Sequence, residues 1–221
     1  MKPAIRSLAA GAALAALNIA VVVIFAAAPA NAVTMPSGAT YIADMPADAA
    51  EAMTLAVTVD GDRVVAYGTN GSDEEAWFFG TQRGGRIDMM SMYADRVQAS
   101  YDGATLTGTL TMNGDGNPHA FTAAAAPAPA GIYTATMDGA RASWVVRPDR
   151  TITGVMDNSA PGDHKVSDAQ AAASRQYQEQ VRQMRLDQQM QQAPPMHYGT
   201  WSTVIHDRPV TATPVSGAMR F

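Results

Sequence analysis

The stretch Thr54–Tyr67, TLAVTVDGDRVVAY, consists of two runs of β-forming residues on either side of the pair Asp60-Gly61. Apolar side chains alternate before the pair and resume after it, at Leu55, Val57, Val59, Val64, Val65 and Tyr67. Alternation on both sides of an Asp-Gly pair is the strongest short-range signal of a β-hairpin, because the tight turn needs residues that accept a positive φ. This stretch therefore predicts an antiparallel β fold.

Turn pairs of the same kind recur along the chain, at Asn70-Gly71, Asp102-Gly103, Asn113-Gly114 and Asp138-Gly139. In Thr105–Met112 threonines occupy one face and leucine or methionine the other, as in a sheet with one buried face. Further short runs predict strands at 77–79, 87–92, 97–101, 119–123, 132–137, 143–146 and 151–156. Roughly nine or ten short strands joined by close turns predict a mainly β domain over 38–157, a small antiparallel meander barrel or sandwich.

The rest of the chain has a different composition. Residues 158–166 form a linker rich in Ser, Pro, Gly and Asp, and Ser167 with Gln170 resembles a helix-capping box. Helix-forming, Gln-rich residues follow, so a polar α-helix is predicted over 167–192, before Pro194-Pro195 forbids extension. Residues 193–221 are expected to be an irregular, flexible tail with at most one strand, near 199–205.

Residues 1–32 have the pattern of an export signal. Lys2 and Arg6 precede an apolar run over 8–28, and Ala30-Asn31-Ala32 matches the small-x-small site at which signal peptidase cleaves, here before Val33. The alternative is an uncleaved anchor, because the run is close to the ~20 residues that span a bilayer. Either interpretation predicts an extracytoplasmic protein, secreted or in the cell envelope, with membrane contact only through residues 8–28 if they are retained.

Composition and charge exclude several kinds of chemistry. The chain has 221 residues, a formal charge of −5 and no cysteine, so disulfides, thiolate metal sites and cysteine nucleophiles are ruled out. Removal of residues 1–32 takes away two basic residues and no acidic one, which makes the formal charge −7. A nucleic-acid partner is not expected, because nucleic-acid binding needs a basic surface.

Five segments carry a resemblance to a known family. Val64–Tyr67 with Glu75–Thr81, Thr105–Thr109, and Ala130–Tyr133 with Ser143–Asp149 are similar to a β-domain found in exported and lipid-anchored actinobacterial proteins. The resemblance covers about residues 39–157, and Gly68 stands near the point where relatives often place a cysteine. It implies a β fold and an extracytoplasmic location. The family has no assigned activity, so no catalytic residue follows from it.

Four aromatic residues are the candidate interaction surface: Trp77, Phe78, Phe79 and Trp144. The competing interpretation places them in the core, because large aromatics dominate burial in small domains. With no catalytic motif in the chain, we expect a binding or structural protein, not an enzyme, with an unknown envelope or extracellular partner and no cofactor.

A periplasmic Cu(I)-binding protein is the first alternative. Thioether sulfur and imidazole nitrogen suit Cu(I), and candidate ligands lie in the C-terminal third at Met184, Met190, Met196, His197 and His206. Met184 and Met190 are six residues apart and would not share a helix face. Core filling is the competing explanation for the methionines.

An extracytoplasmic hydrolase is the second alternative. The chain lacks a Gly-x-Ser-x-Gly elbow and a His-Glu-x-x-His motif, and His119 is the histidine within the predicted β-domain. Residues 113–117 resemble the front half of a calcium loop, but Ala124 stands where such a loop needs a bidentate Glu. A tight turn is the better interpretation of that stretch.

Overall fold

Two antiparallel sheets and a C-terminal hairpin make up the fold. The computed structural model describes residues 33–45, 52–113, 116–159, 180–181, 183–185 and 187–220. The chain divides into two units, Met1–Asn31 and Ala32–Phe221, and every described residue belongs to the second. The predicted signal segment therefore lies outside the described residues, as do most of the linker and residues 167–179. Within the described part of the chain, no helix is long and apolar enough to cross a membrane.

The first sheet is an eight-stranded, nearly closed barrel. Its strands are β1 Thr40–Asp44, β2 Thr54–Asp60, β3 Arg63–Thr69, β4 Glu75–Thr81, β5 Arg86–Met90, β6 Arg96–Tyr101, β7 Thr105–Thr111 and β8 Pro118–Ala125. Their order is β4-β3-β2-β1-β8-β7-β6-β5, which is two four-stranded meanders joined through β1 and β8. The prediction of a mainly β, antiparallel, barrel-like fold is confirmed.

The barrel interior is filled by side chains. Leu55, Val57 and Val59 of β2 point inward with Phe78, as their alternation predicts. Eight strands enclose a space just wide enough for side chains. Methionines fill much of it, because their flexible side chains adapt to irregular gaps, at Met35, Met45, Met53, Met89 and Met112.

The second sheet covers the outer face of the barrel at β2 and β3. Its strands are β9 Gly131–Met137, β10 Ala140–Val146, β11 Ile152–Asp157, β12 Met190–Gln192 and β15 Thr213–Pro214, in the order β12-β11-β10-β9-β15. Val65 and Tyr67 of β3 pack against Ile132 and Val145 of this sheet. Every residue of β3 after Arg63 is buried because both faces of the strand are covered.

The C-terminal third departs from the sequence prediction. Residues 180–181 and 183–185 are helical, but residues 190–192 form β12, so the predicted helix does not continue to Gln192. β12 pairs with β11 and extends the second sheet beyond residue 157. The sheet edge at β11 offers backbone partners, and pairing with them outweighs the helical preference of this Gln-rich stretch.

Residues 193–220 hold more ordered structure than the predicted single strand. β13 Ser202–Ile205 and β14 Arg208–Thr211 form a hairpin, and β15 pairs with β9. Ile205, Ala212 and Val215 are buried. The outer face of the second sheet, which carries Tyr133 and Trp144, is apolar and is covered by this segment.

Candidate functional site

A groove of about 450 Å³ opens on the outer side of the second sheet. Trp144 and residues 152–154 form its floor, the turn at Asn70-Gly71 forms one wall, and residues 192–196 form the other. Of the described residues that line it, none carries a charge. The groove is thus walled by chain segments that lie far apart in sequence.

Trp144 holds the wall formed by residues 192–196 in place. Its indole Nε1–H donates a hydrogen bond to the carbonyl oxygen of Pro194 at 3.2 Å. Gly154 lies opposite Trp144 on β11, and a Cβ there would stand 2.6 Å from the indole Cδ1. The N–H of Ala193 donates to the Gly154 carbonyl at 3.1 Å, and the Thr203 hydroxyl donates to the Pro195 carbonyl at 3.0 Å. The wall is therefore fixed by backbone and side-chain hydrogen bonds.

The opposite wall is a rigid turn. The Asn70 side-chain oxygen accepts hydrogen bonds from the backbone N–H groups of Ser72, Asp73 and Glu74, at 2.9, 3.1 and 3.0 Å. Gly71 has a φ of +77°, which suits glycine, and a Cβ there would overlap the Thr153 side chain. The groove is consequently preformed on both sides.

A group of aromatic rings packs on β9, the strand next to the one that carries Trp144. Tyr133, the cross-strand partner of Trp144, stacks on Trp201 with ring centroids 4.5 Å apart and an interplanar angle of 12°. Tyr198 meets Trp201 edge-on at 5.0 Å, and the Arg150 guanidinium lies 5.4 Å above the Tyr198 ring. Tyr198 is 39% exposed and Trp201 is half-buried, so these two rings form an aromatic rim.

The backbone at this aromatic rim is strained. Trp201 has a φ of +52° and Arg150 a φ of +74°, in the left-handed region that bulky residues rarely enter. Such a conformation costs roughly 1–2 kcal/mol per residue. Hydrogen bonds from the Trp201 N–H to the His197 carbonyl and from the Ala212 N–H to the Trp201 carbonyl hold the tryptophan in it. Residues held in this way cluster at ligand sites.

The predicted aromatic surface is partly wrong. Phe78 lies in the barrel core and Trp144 is buried under the C-terminal segment, so neither is a surface residue. Trp77 and Phe79 are half-buried on the outer face of β4, with parallel rings 6.0 Å apart. Cations cover both rings, because Arg141 lies over Trp77 and Arg220 over Phe79. Sequence reasoning missed the residues that form the aromatic rim, Tyr198 and Trp201.

The candidate copper ligands are spread over different parts of the structure. Met184 packs with Tyr93, whereas Met196 is buried in the apolar cluster on the outer face of the second sheet. Met190 is in β12 and pairs with Asp157. The other two candidates, His197 and His206, are exposed. His197 pairs with Ser202 through its backbone, and the His206 ring contacts Asn158. Within the described residues, no group of three or more His, Asp or Glu side chains is arranged to hold a metal ion.

The other sequence candidates lie on the barrel. His119 is in β8, where its cross-strand partner is Leu110. Ala124 is also in β8 and pairs with Thr105, so it is part of a strand and not of a calcium-binding loop. Residues 114 and 115 of the candidate calcium loop lie outside the described residues.

A buried ionic cluster connects the barrel to the second sheet. Arg141 of β10 donates from Nη2 to Glu75 Oε1 of β4 at 2.6 Å, and Asp157 Oδ2 lies 3.8 Å from the same nitrogen. Glu75 is only 3% exposed, and burial raises its pKa above the ordinary value although Arg141 acts to lower it. Among the described residues, its second oxygen, Oε2, has no hydrogen-bond partner.

A second part of the cluster attaches the short helix. Arg185 forms ion pairs with Asp95 and Glu74 and lies over the Tyr93 ring. Asp95 is fully buried, and burial raises its pKa while Arg185 acts to lower it. Two guanidinium groups, of Arg141 and Arg185, thus contact four carboxylates, and these contacts join the layers of the fold.

Comparisons of this chain with known protein families, with curated proteins and with solved structures found no match. The resemblance of residues 39–157 to the exported actinobacterial β-domain family therefore stays a prediction.

Proposed function

We propose that this protein is an exported, non-enzymatic binding protein of the cell envelope or the extracellular medium. Its ligand binds in the groove and against the aromatic rim of Tyr198 and Trp201. The observation that carries the proposal is the combination of a preformed groove with an aromatic rim, in which Tyr198 is exposed and the half-buried Trp201 has a strained backbone.

The chemistry of the site supports binding. Tyrosine and tryptophan combine a large apolar face with a polar group, and they are enriched where proteins bind ligands and partners. Fixed walls lower the entropy cost of ordering a site when a ligand binds. The groove lining offers amide, hydroxyl and backbone groups, and none of the described lining residues is an acid, a base or a nucleophile of the kind that an enzyme uses.

The proposed location rests on the sequence of residues 1–32, whose charged, apolar and small-residue segments follow the order of an export signal. Because the domain has no cysteine, it cannot rely on disulfide bonds for its stability in an oxidising compartment. In this protein, side-chain packing and buried ion pairs would provide that stability. No specific observation in the described residues favours the Cu(I) or the hydrolase alternative.

A co-sedimentation experiment tests the proposal. The protein as isolated from its producing cells is mixed at increasing concentration with insoluble envelope material from the same cells, and bound protein is quantified. We expect saturable binding, and Tyr198→Ser should weaken it at least tenfold, because truncation of an aromatic hot-spot residue costs about 2 kcal/mol of binding.

Met90→Ala is the matched control. Like Tyr198, Met90 is a large side chain at the surface, and it is 55% exposed. It lies on β5 of the barrel, however, and does not line the groove. Its removal should leave binding unchanged. Wild-type binding that does not saturate, or equal binding by Tyr198→Ser and the wild type, would contradict the proposed function.

A further inference from the structure

We infer that docking of residues 33–38 onto the barrel protects the predicted cleavage site between Ala32 and Val33, so that the export signal is removed only before this segment docks. The inference rests on the export signal of the proposed function, and it adds what controls the removal of that signal. The cleavage is a hydrolysis: water opens the peptide bond, which leaves a carboxyl group on Ala32 and a free amino group on Val33.

A buried glutamine fixes the first residues after the cleavage site. Gln82 lies in the turn between β4 and β5 and is 7% exposed. Its Oε1 accepts a hydrogen bond from the Met35 N–H at 2.7 Å, and its Nε2 donates to the Met35 carbonyl oxygen at 2.9 Å. The same Nε2 donates to the carbonyl oxygen of Gly61, in the turn between β2 and β3. One side-chain amide thus ties the N-terminal segment to two turns of the barrel.

Packing holds the same segment at further points. The Met35 side chain is 2% exposed and belongs to the apolar cluster that fills the barrel. Before it in the chain, the Val33 carbonyl oxygen lies against Gly85, where a Cβ would overlap it. After it, the Gly38 N–H donates to the Val59 carbonyl oxygen at 2.8 Å. The segment is therefore held at both ends and in the middle.

An endopeptidase needs these residues free. Extended peptides bind to proteins through backbone hydrogen bonds, and a protease holds several residues on each side of the bond that it cuts in this way. Val33, Thr34 and Met35 are the first three residues after the bond. In the docked segment the backbone N–H and carbonyl of Met35 are already bonded to Gln82. Cleavage of a docked chain therefore requires the segment to detach, and its rate follows the fraction of detached chains.

This competition connects the two alternatives for residues 1–32. A chain that meets the peptidase before its N-terminal segment docks loses the signal and is released. A chain that docks first keeps the apolar residues 8–28, which are long enough to hold it at the membrane. The secreted and the anchored form then arise from one sequence, in a ratio set by how firmly the segment docks.

Cleavage of the full chain in vitro tests the inference. The uncleaved chain is accumulated in its producing cells with an inhibitor of signal peptidase, extracted in a mild detergent and freed of the inhibitor. A detergent extract of membranes from untreated cells supplies the active peptidase, and mass spectrometry follows the product that begins at Val33. We expect Gln82→Ala to be cleaved about tenfold faster than the wild type, because the loss of two hydrogen bonds raises the detached fraction by about that factor.

Gln98→Ala is the matched control. Gln98 is a half-buried glutamine of β6 whose amide donates to Asp88 of β5 at 3.1 Å instead of to the N-terminal segment. It should be cleaved at the wild-type rate. Met35→Ala removes the buried anchor and leaves Gln82 in place, so it should be cleaved at least tenfold faster than the wild type. A cooperative thermal unfolding transition in each variant distinguishes detachment of the segment from global unfolding, and if one variant lacks it, the other decides.

The outcomes separate this inference from the rest of the proposed function. Equal cleavage rates in the wild type, Gln82→Ala and Met35→Ala would overturn it, as would equally accelerated cleavage of Gln98→Ala. Cleavage of none of the chains would overturn it as well, and it would also contradict the export signal on which the proposed location rests. Binding at the groove is measured separately with Tyr198→Ser, so a failure of that experiment would leave this inference standing.

Discussion

Glu75→Ala is expected to lower the free energy of unfolding by about 3 kcal/mol, measured by denaturant or thermal unfolding. The substitution leaves the Arg141 guanidinium largely buried without its nearest carboxylate, and breaking one partner of a buried ion pair costs about 3–5 kcal/mol. The lower end of that range applies because the Arg141 side chain is 26% exposed and Asp157 Oδ2 lies 3.8 Å from its Nη2. The loss would show that the second sheet is held to the barrel by charge as well as by apolar packing.

A double-mutant cycle separates the contribution of the charges from that of the side-chain shapes. Glu75→Met combined with Arg141→Met should lower the free energy of unfolding by less than the sum of the two single changes, because neither charge of the buried pair is left alone. Additive effects would mean that the two residues do not stabilise the fold as a pair.

Glu75→Gln tests the pH dependence. Because burial raises the pKa of Glu75 in the folded protein, the native state binds that proton more readily than the unfolded chain does. The stability contributed by this group therefore falls as the pH rises through the raised pKa. The wild type should gain stability relative to Glu75→Gln on going from about pH 7 to about pH 5. A change in the opposite direction would contradict the raised pKa.

Trp144→Ala is expected to lower the free energy of unfolding by about 3–5 kcal/mol, the usual cost of truncating a buried tryptophan. Trp144 is among the largest fully buried side chains, in the apolar cluster between the second sheet and the C-terminal segment. The change also removes the hydrogen bond to Pro194, so residues 192–196 should lose their position as a groove wall. Unfolding measurements should show the lower stability, and binding to envelope material should weaken.

Trp144→Phe is the matched control for this prediction. Phenylalanine keeps most of the buried apolar area but cannot donate to Pro194, so we expect a loss of about 1 kcal/mol from the hydrogen bond and a further small packing cost. If Trp144→Ala cost no more than Trp144→Phe, the C-terminal segment would not depend on this residue.

The β-hairpins were predictable from local turn chemistry. Gly61-Asp62 joins β2 to β3 in the barrel and Asp138-Gly139 joins β9 to β10 in the second sheet, and both glycines have the positive φ that such turns require. Alternation along β2 placed Leu55, Val57 and Val59 on the inner face correctly. Signals of this kind are local, so a single sequence contains them.

The C-terminal segment was not predictable because its structure depends on distant partners. β12, β14 and β15 have only two to four residues each, and β14 and β15 contain proline. Strands so short carry no alternation that could be recognised in the sequence. β12 and β15 form because β11 and β9 offer free edges, whereas β14 pairs with β13, and the apolar face around Trp144 needs cover.

The candidate site was only partly predictable for the same reason. Residue type identified aromatic side chains as binding candidates, but it could not distinguish Trp144, which is buried, from Trp201, which is half-buried beside the exposed Tyr198. The available signal was the spacing of Tyr198 and Trp201 on either side of a Gly-Thr pair, which is typical of a turn that presents side chains to solvent. The burial of Trp144 depends on residues 193–212, which the sequence did not place on the sheet.

Hydrogen–deuterium exchange with and without ligand tests the central claim most directly. The protein isolated from its producing cells is labelled in the presence and absence of saturating envelope fragments, and protection is mapped by peptide. We predict slower exchange in residues 192–201 and 150–154, which carry the groove wall, the floor and the aromatic rim. Protection confined to β4 around Trp77 and Phe79, with exchange in 192–201 unchanged, would contradict it.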